Sequence, residues 1–298
     1  MRDMSFADTA IEWFDDNARD LPWREPGVGA WAILVSEVML QQTPVVRVLP
    51  AWRAWLDRWP DPPALAADSP AEAIRMWNRL GYPRRALRLH ECATVLTERY
   101  DGKVPTGLDE LLALPGVGSY TARAVAAFAY GQRHPVVDTN VRRFVARAVD
   151  GAADAGPATR PADLVATAAL LPAEPARAAR ASAAFMELGA VVCVARTPRC
   201  GVCPMAGRCA WRAAGRPAPS GPSRRPQRYA GTDRQVRGLL LAVLREATGP
   251  VPQQRLDVVW GDDLQRRRAL ASLIEDGLVE PVARDGAPPT GYTLAGQG

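Results

Sequence analysis

Lysine is nearly missing from this sequence: of its 37 basic residues only Lys103 is a lysine, and the rest are arginine. Chemistry that needs a lysine amine as nucleophile therefore has a single candidate. Long apolar runs are missing as well. No stretch approaches the roughly 20 residues needed to cross a membrane, and no charged segment leading into an apolar run opens the chain. Acidic residues vanish between Arg196 and Arg228, where eight arginines stand without one carboxylate. Such a run is a solvated linker or a phosphate contact, and the lack of any compensating acid favours phosphate. The alternation of apolar and polar residues that marks a half-buried strand is absent from about the first two hundred residues. These gaps point to a cytoplasmic protein with a helical main body and no membrane partner.

What is present suffices for real cores. In 298 residues, 48% hydrophobic content beside 23% charge accommodates two or three domains, and a net charge of +5 favours a polyanionic partner. A helix is expected over residues 4–18, where Phe6, Ala10, Trp13 and Phe14 share a face. After Leu21-Pro-Trp-Arg24 and a glycine-rich loop, Trp31 to Leu40 is almost wholly apolar and carries one carboxylate, Glu37. Thr43 is expected to cap the next helix, Ser69-Pro-Ala-Glu72 reads as a capping box, and Thr106 as a further cap. Helices are expected over 161–171 and 176–192. The C-terminal region reads as a small unit of its own, with helices over Asp233–Ala247 and Leu264–Asp276 and strands over 277–282 and 292–294. That order suggests a winged helix, a DNA-binding or protein-docking module, and Arg266, Arg267 and Arg268 tilt it towards DNA.

The stretch from Leu111 to Arg143 organises the rest. Gly116 and Gly118 stand in a turn, Pro115-Gly-Val-Gly118, that lets the backbone and the following helix N-terminus approach a phosphate closely. Asp138 opens the next helix, beside Thr139 and Asn140. Further on, Cys193, Cys200, Cys203 and Cys209 are separated by six, two and five residues in a proline-containing segment. Four thiolates so close together are metal ligands, for zinc or for an iron-sulfur cluster, and suit a reducing compartment. The fifth cysteine, Cys92, lies mid-helix as an inert core thiol.

The cysteine spacing after Phe185-Met-Glu-Leu-Gly-Ala190 resembles the four-iron four-sulfur site of the endonuclease III superfamily of DNA glycosylases. The hairpin Leu114-Pro-Gly-Val-Gly-Ser-Tyr120 followed by Val137-Asp138 matches the same helix-hairpin-helix superfamily. Leu21-Pro-Trp-Arg24, Ser36-Glu-Val-Met-Leu-Gln-Gln-Thr43 and Gly81-Tyr82 look like its adenine glycosylase branch, the MutY-type enzymes. The resemblance covers nearly all of residues 5 to 215. It implies a mainly α fold in which residues 1–26 and 136–215 form an iron-sulfur cluster helical domain and 27–135 a six-helix barrel. A basic linker, 216–230, and the winged-helix-like domain, 231–298, follow.

It also implies a monomer that acts on double-stranded DNA containing adenine mispaired with 8-oxoguanine. Such an enzyme extrudes the adenine, protonates it and stabilises an oxocarbenium-like sugar. Glu37, desolvated on its apolar helix, would carry the proton, and Asp138, at a helix N-terminus, would stay ionised beside the anomeric carbon. Asn140 would orient water and Tyr120 would hydrogen-bond within the site. Trp23 and Arg24 would line the adenine pocket, while Leu40, Gln42, Thr43 and Tyr82 would meet the opposite base. Tyr120 occupies the place where strand-nicking relatives carry a lysine, so the expected product is an abasic site in an intact strand. Ala183 replaces the family's usual glutamine or glutamate contact to adenine, and the C-terminal region is too short for the Nudix-like domain that many members use to read 8-oxoguanine. A thymine or uracil mismatch glycosylase and a non-catalytic iron-sulfur DNA-binding regulator are the alternatives.

Overall fold

The computed structural model describes residues 4–156, 159–219, 229–283 and 289–297. In chain order the helices are α1 (Phe6–Asn17), α2 (Ala30–Leu40), α3 (Val45–Arg58), α4 (Pro62–Ala66), α5 (Pro70–Trp77), α6 (Arg84–Arg99), α7 (Leu108–Leu112), α8 (Ser119–Tyr130) and α9 (Thr139–Ala148). There follow α10 (Pro161–Leu170), α11 (Pro175–Glu187), α12 (Ala210–Ala213), α13 (Asp233–Glu246), α14 (Gln253–Asp257) and α15 (Asp263–Glu275), then the strands β1 (Val279–Val282) and β2 (Gly291–Leu294).

Six helix starts are written in a short-range code. Ser5, Asp61, Ser69, Asp138, Glu174 and Asp262 each accept hydrogen bonds from amides of the first turn, and proline follows directly at Pro62, Pro70 and Pro175. Two caps differ from expectation. Pro44, not Thr43, precedes α3, because the Thr43 hydroxyl is turned to Leu80 O and Gln41 O; Gly107 precedes α7 in place of Thr106. The Ser69 box is only half closed, since Glu72 is drawn instead to Arg58 and Arg75. The helix expected over 176–192 is α-helical to Glu187, and Leu188–Val192 widens into a π-helical turn just before Cys193.

The described residues divide into two compact units. One takes the chain up to Leu34, Pro105–Ala113 and the residues from Val117 to 219. Its core brings the rings of Phe6, Phe144 and Phe185 to within 5.6–5.7 Å of one another, with Phe14, Val141 and Leu188 around them. The other takes Val35–Val104, Leu114–Gly116 and the described residues from 229 onward. There Trp55 stands edge-on to Trp59 and Trp77 at 4.6 and 5.7 Å. In this unit the C-terminal region is not isolated from α5: Ala71 and Ile74 share one core with Val236, Leu240, Leu273 and Leu294. Arg75 donates to the carbonyls of Arg245 and Ala247, and Arg245 returns a bond to Ile74 O, both at the point where α13 ends. β1 and β2 pair antiparallel, Val279 with Leu294 through Val282 with Gly291, and Val251 adds an isolated bridge to Tyr292 that no alternating pattern announced.

Candidate active site and cysteine centre

Asp138 caps α9 and has further capacity. Its Oδ1 accepts the amides of Asn140 and Val141 at 2.9 and 2.7 Å, and its Oδ2 accepts Asn140 Nδ2 at 2.7 Å. Burial pushes this carboxyl above its ordinary value; the three hydrogen bonds and the nearby Arg143 charge oppose the rise without cancelling it. At Asp138 burial thus outweighs the amides of the helix N-terminus. Asn140 in turn accepts Arg143 Nη2 at 2.9 Å through Oδ1. Arg143 also donates to the carbonyls of Gly189 at 2.6 Å and Cys193 at 2.7 Å, tying α9 to the approach of the cysteine loop. Gly189 is itself close-packed: a Cβ there would lie 2.5 Å from Asn140 O.

Tyr120, in the first turn of α8, is half-buried against Ala124, Ala127 and Val136. Glu37 is 5% exposed, in a run of buried residues on α2. That burial is the desolvated setting its apolar neighbours suggested.

The hairpin glycines differ in what requires them. Gly116 has φ +75°, and a Cβ there would sit 2.7 Å from Arg88 Cβ, so the fold itself demands glycine. Gly118 precedes α8 with ordinary negative φ, and a Cβ there would meet nothing within 4 Å. Its bare backbone leaves open space at the start of a 12-residue helix, where an anion can approach.

The loop after α2 places its residues unequally. Gln42 is exposed, Leu40 half-buried and Tyr82 49% exposed, whereas Thr43 is buried and bonded within the protein. Gln42 and Tyr82 both hold left-handed backbone, φ 55° and 47°, which costs a non-glycine residue about 1–2 kcal/mol. Trp23 is buried. Arg24, expected at the adenine, is turned to Glu187: its Nη2 donates to Oε2 at 2.8 Å, and its guanidinium lies 5.2 Å above the Phe14 ring. Arg19 grips the same carboxylate through Nε at 2.6 Å, Nη2 at 2.9 Å and its amide at 3.1 Å. Glu187 is fully buried; burial would raise its pKa, but the two arginines outweigh burial and hold it down to about 2.

The four clustered cysteines form no disulfide and line one cavity of about 370 Å³, counting its mouth, which Arg147 and Trp211 also line. Among the described residues no three ligand-type side chains converge on a point as a single bare ion requires. Four cysteine sulfurs lining one cavity are a donor set that an iron-sulfur cluster or zinc can take. Burial pushes the Cys203 thiol up to about 11, and the other three sulfurs add to that, whereas a bound cationic cluster would hold this residue as a thiolate.

Comparison with known proteins bears on each part. Residues 35–159 match the HhH-GPD superfamily of base excision DNA repair proteins, and residues 193–209, from the first cysteine to the last, match the iron-sulfur binding domain of endonuclease III. An adenine DNA glycosylase of Mycolicibacterium smegmatis is 61% identical over 97% of this chain and 95% of its own length. The chain belongs to the adenine DNA glycosylases. A second member, from Mycobacterium tuberculosis, is 60% identical over 90% of this chain and 88% of its own. A solved thermostable thymine-DNA glycosylase, 26% identical with a TM-score of 0.63, covers 70% of this chain and 95% of that one. The glycosylase fold is thus shared widely, while the relation to the adenine enzymes extends into the C-terminal region. As a glycosylase of this family the chain is a base-excision repair enzyme with an iron-sulfur cofactor and a DNA-binding fold.

In this adenine glycosylase relative, sequence alone did not disclose Arg147. It is 5% exposed and donates to the carbonyls of Ala153, Val194 and Ala195 at 2.8–2.9 Å, while Nη1 lies 3.7 Å from Cys193 Sγ. Trp211 stacks under its guanidinium at 4.8 Å. The expected DNA-facing arginines of α15 are otherwise employed. Arg266 is buried and bonded to Asp257, Asp263 and Trp260 O; Arg267 pairs with Asp263, and Arg268 with Asp233. Arg224, Arg225 and Arg228 of the basic linker lie outside the described residues.

Proposed function

We propose that this enzyme hydrolyses the N-glycosidic bond of adenine mispaired with 8-oxoguanine or guanine in double-stranded DNA, leaving an abasic site. The base is taken from the relatives' activity; the chemistry rests on Asp138. Its carboxylate is oriented by two amides and Asn140, yet burial leaves it less solvated than a surface acid, as a group that must face a developing cation should be. In this reading Glu37, buried on α2, delivers a proton to the departing purine and later takes one from water. Asn140 orients that water and Tyr120 hydrogen-bonds within the site.

Adenine contacts come from Trp23 and Glu37 or the backbone, with Arg24 acting through Glu187, since Ala183 offers no polar group. Leu40, Gln42 and Tyr82 enter or flank the duplex, and Gly116 and Gly118 meet its backbone. Cys193, Cys200, Cys203 and Cys209 hold the cluster, which when bound cross-links the 193–209 loop. The protein acts as a cytoplasmic monomer in which residues 231–298 form a winged-helix-like domain. The engagement of Arg266, Arg267 and Arg268 by acids favours a packing role for that domain over DNA contact.

Lys103 is exposed and paired with Asp101 at 3.1 Å, which supports glycosylase action without a lysine-dependent nick. Single-turnover assays on duplexes with adenine opposite 8-oxoguanine, guanine or thymine, and with thymine opposite guanine, each with and without alkali, test the whole reading. Cleavage that requires alkali and is fastest opposite 8-oxoguanine is expected. Release of thymine but not adenine would transfer the enzyme to the mismatch thymine class, and binding without product to the regulator reading.

A further inference from the structure

The loop Leu40–Thr43 and the turn Gly81–Tyr82 are far apart in sequence, yet a single guanidinium fastens both. Nη1 of Arg85 donates to the carbonyls of Val38 at 2.8 Å, Met39 at 3.0 Å and Gln41 at 2.8 Å. Val38 and Met39 stand in the last turn of α2, whose carbonyls have no helical amide ahead of them, and Gln41 follows directly. Nη2 donates to Thr43 Oγ1 and to Gly81 O, both at 3.0 Å, and Nε to Tyr82 O at 3.4 Å. The group also lies over two rings, 5.0 Å from the centroid of Trp77 and 5.6 Å from that of Tyr82. Trp77 completes the arrangement by donating Nε1 to Gly81 O at 2.9 Å.

The bonds land on both neighbours of one left-handed position, and on the other together with the residue before it. Gln41 and Thr43 bracket Gln42 (φ 55°), and Gly81 and the Tyr82 carbonyl fix Tyr82 (φ 47°). Without such clamping neither residue would keep that backbone, and their exposed side chains would not be held in one place relative to each other. Only a planar fork with donors along several edges can reach all these acceptors at once; an ammonium cannot.

We propose that Arg85 is a positioning residue that presents Gln42 and Tyr82 together to the base opposite the excised adenine, so that discrimination between 8-oxoguanine and guanine depends on it. The proposal rests on the reading that Gln42 and Tyr82 meet that base.

The test is the ratio of single-turnover excision rates opposite 8-oxoguanine and opposite guanine, measured on cluster-loaded protein for Arg85→Lys, Gln42→Ala, Tyr82→Ala and the doubles that combine Arg85→Lys with each. A merely structural defect would lower the active fraction equally on both duplexes and leave the ratio alone. The expected result is a ratio reduced about tenfold in Arg85→Lys, equivalent to about 1.4 kcal/mol, with no further loss in either double. An unchanged ratio in Arg85→Lys, or losses that multiply in the doubles, overturns the proposal. If Gln42→Ala and Tyr82→Ala themselves keep the ratio, the site reading fails and the proposal with it; if they lose it while Arg85→Lys does not, the proposal alone fails. Should Arg85→Lys not fold, Thr43→Val removes one acceptor of the fork and Thr43→Ser retains it. A reduced ratio in the first and a normal ratio in the second support the clamp, and equal ratios in both refute it.

Discussion

Arg143 and Arg147 of α9 and the arginines of the cysteine loop contrast with those of α15, while the third arginine of α9, Arg142, is paired with Asp163 at 2.8 Å. In the first region Arg143 and Arg147 donate to carbonyls, and exposed Arg196 and Arg199 stand in a stretch with no acid at all. In the second, Arg266, Arg267 and Arg268 are matched by Asp257, Asp263 and Asp233, and Arg268 with Gln265 holds the Asp233 carboxyl down to about 2. The residue type is the same, but the counter-charge decides its work. Carbonyl dipoles orient a guanidinium without cancelling its charge, so the first region keeps its attraction for phosphate, whereas the second is neutralised from within.

Substitutions that separate these regions should do so in graded fashion. The largest effect belongs to Asp138→Asn in the first. Excision should fall by about 10²–10⁴-fold in single-turnover assays, while thermal unfolding near neutral pH shows a Tm no lower than that of the parent. The sign follows from burial: a carboxyl whose pKa is raised on folding weakens the fold once ionised, so the neutral amide removes that penalty and still caps α9. The gap in Tm should close as pH falls through the carboxylate range.

Glu187→Gln should do the reverse, costing about 2–4 kcal/mol in denaturant unfolding because two cations lose a buried partner. Glu187 is held from its usual 4.5 down to about 2, so its contribution is present above about 4.5 and is lost as pH falls toward 2. The variant should therefore show a flatter acid limb in its stability profile.

A smaller effect sharpens the comparison directly. Arg196→Ala and Arg199→Ala should each reduce the slope of log affinity against log salt by about 0.9, whereas Arg267→Ala with Arg268→Ala should leave the slope unchanged and shift stability by at most about 1 kcal/mol. A reduced slope in the α15 pair would break the contrast and return that helix to the DNA interface. Smallest of all, Lys103→Ala should leave excision unaltered, and borohydride should trap no covalent DNA adduct in either protein.

How far the sequence was legible follows from the range of each interaction. Helix starts at Ser69 and Asp138 and the cysteine spacing were readable because cap and ligand lie within a few residues. The helical fold and the glycosylase family were readable for the same reason. The employment of the arginines was not. Arg268 finds Asp233 across 35 positions, Arg19 finds Glu187 across 168 and Arg85 reaches back 47 to Val38, distances over which residue type predicts no partner. Thr43 was misplaced as a cap because its local signature is genuine, and a tertiary donor, Arg85, claimed the hydroxyl. Arg24 was expected at the base; Glu187, a buried acid with no local sign of its partners, took its cation.

Gly189 limits how this protein can drift. A methyl group at that position would press on the carbonyl of Asn140, and backbone cannot step aside as a flexible side chain can. Saturation of codon 189 followed by selection for repair should return glycine alone, while Gly201 and Gly207, where a Cβ would meet nothing within 4 Å, should accept many residues in the same loop segment.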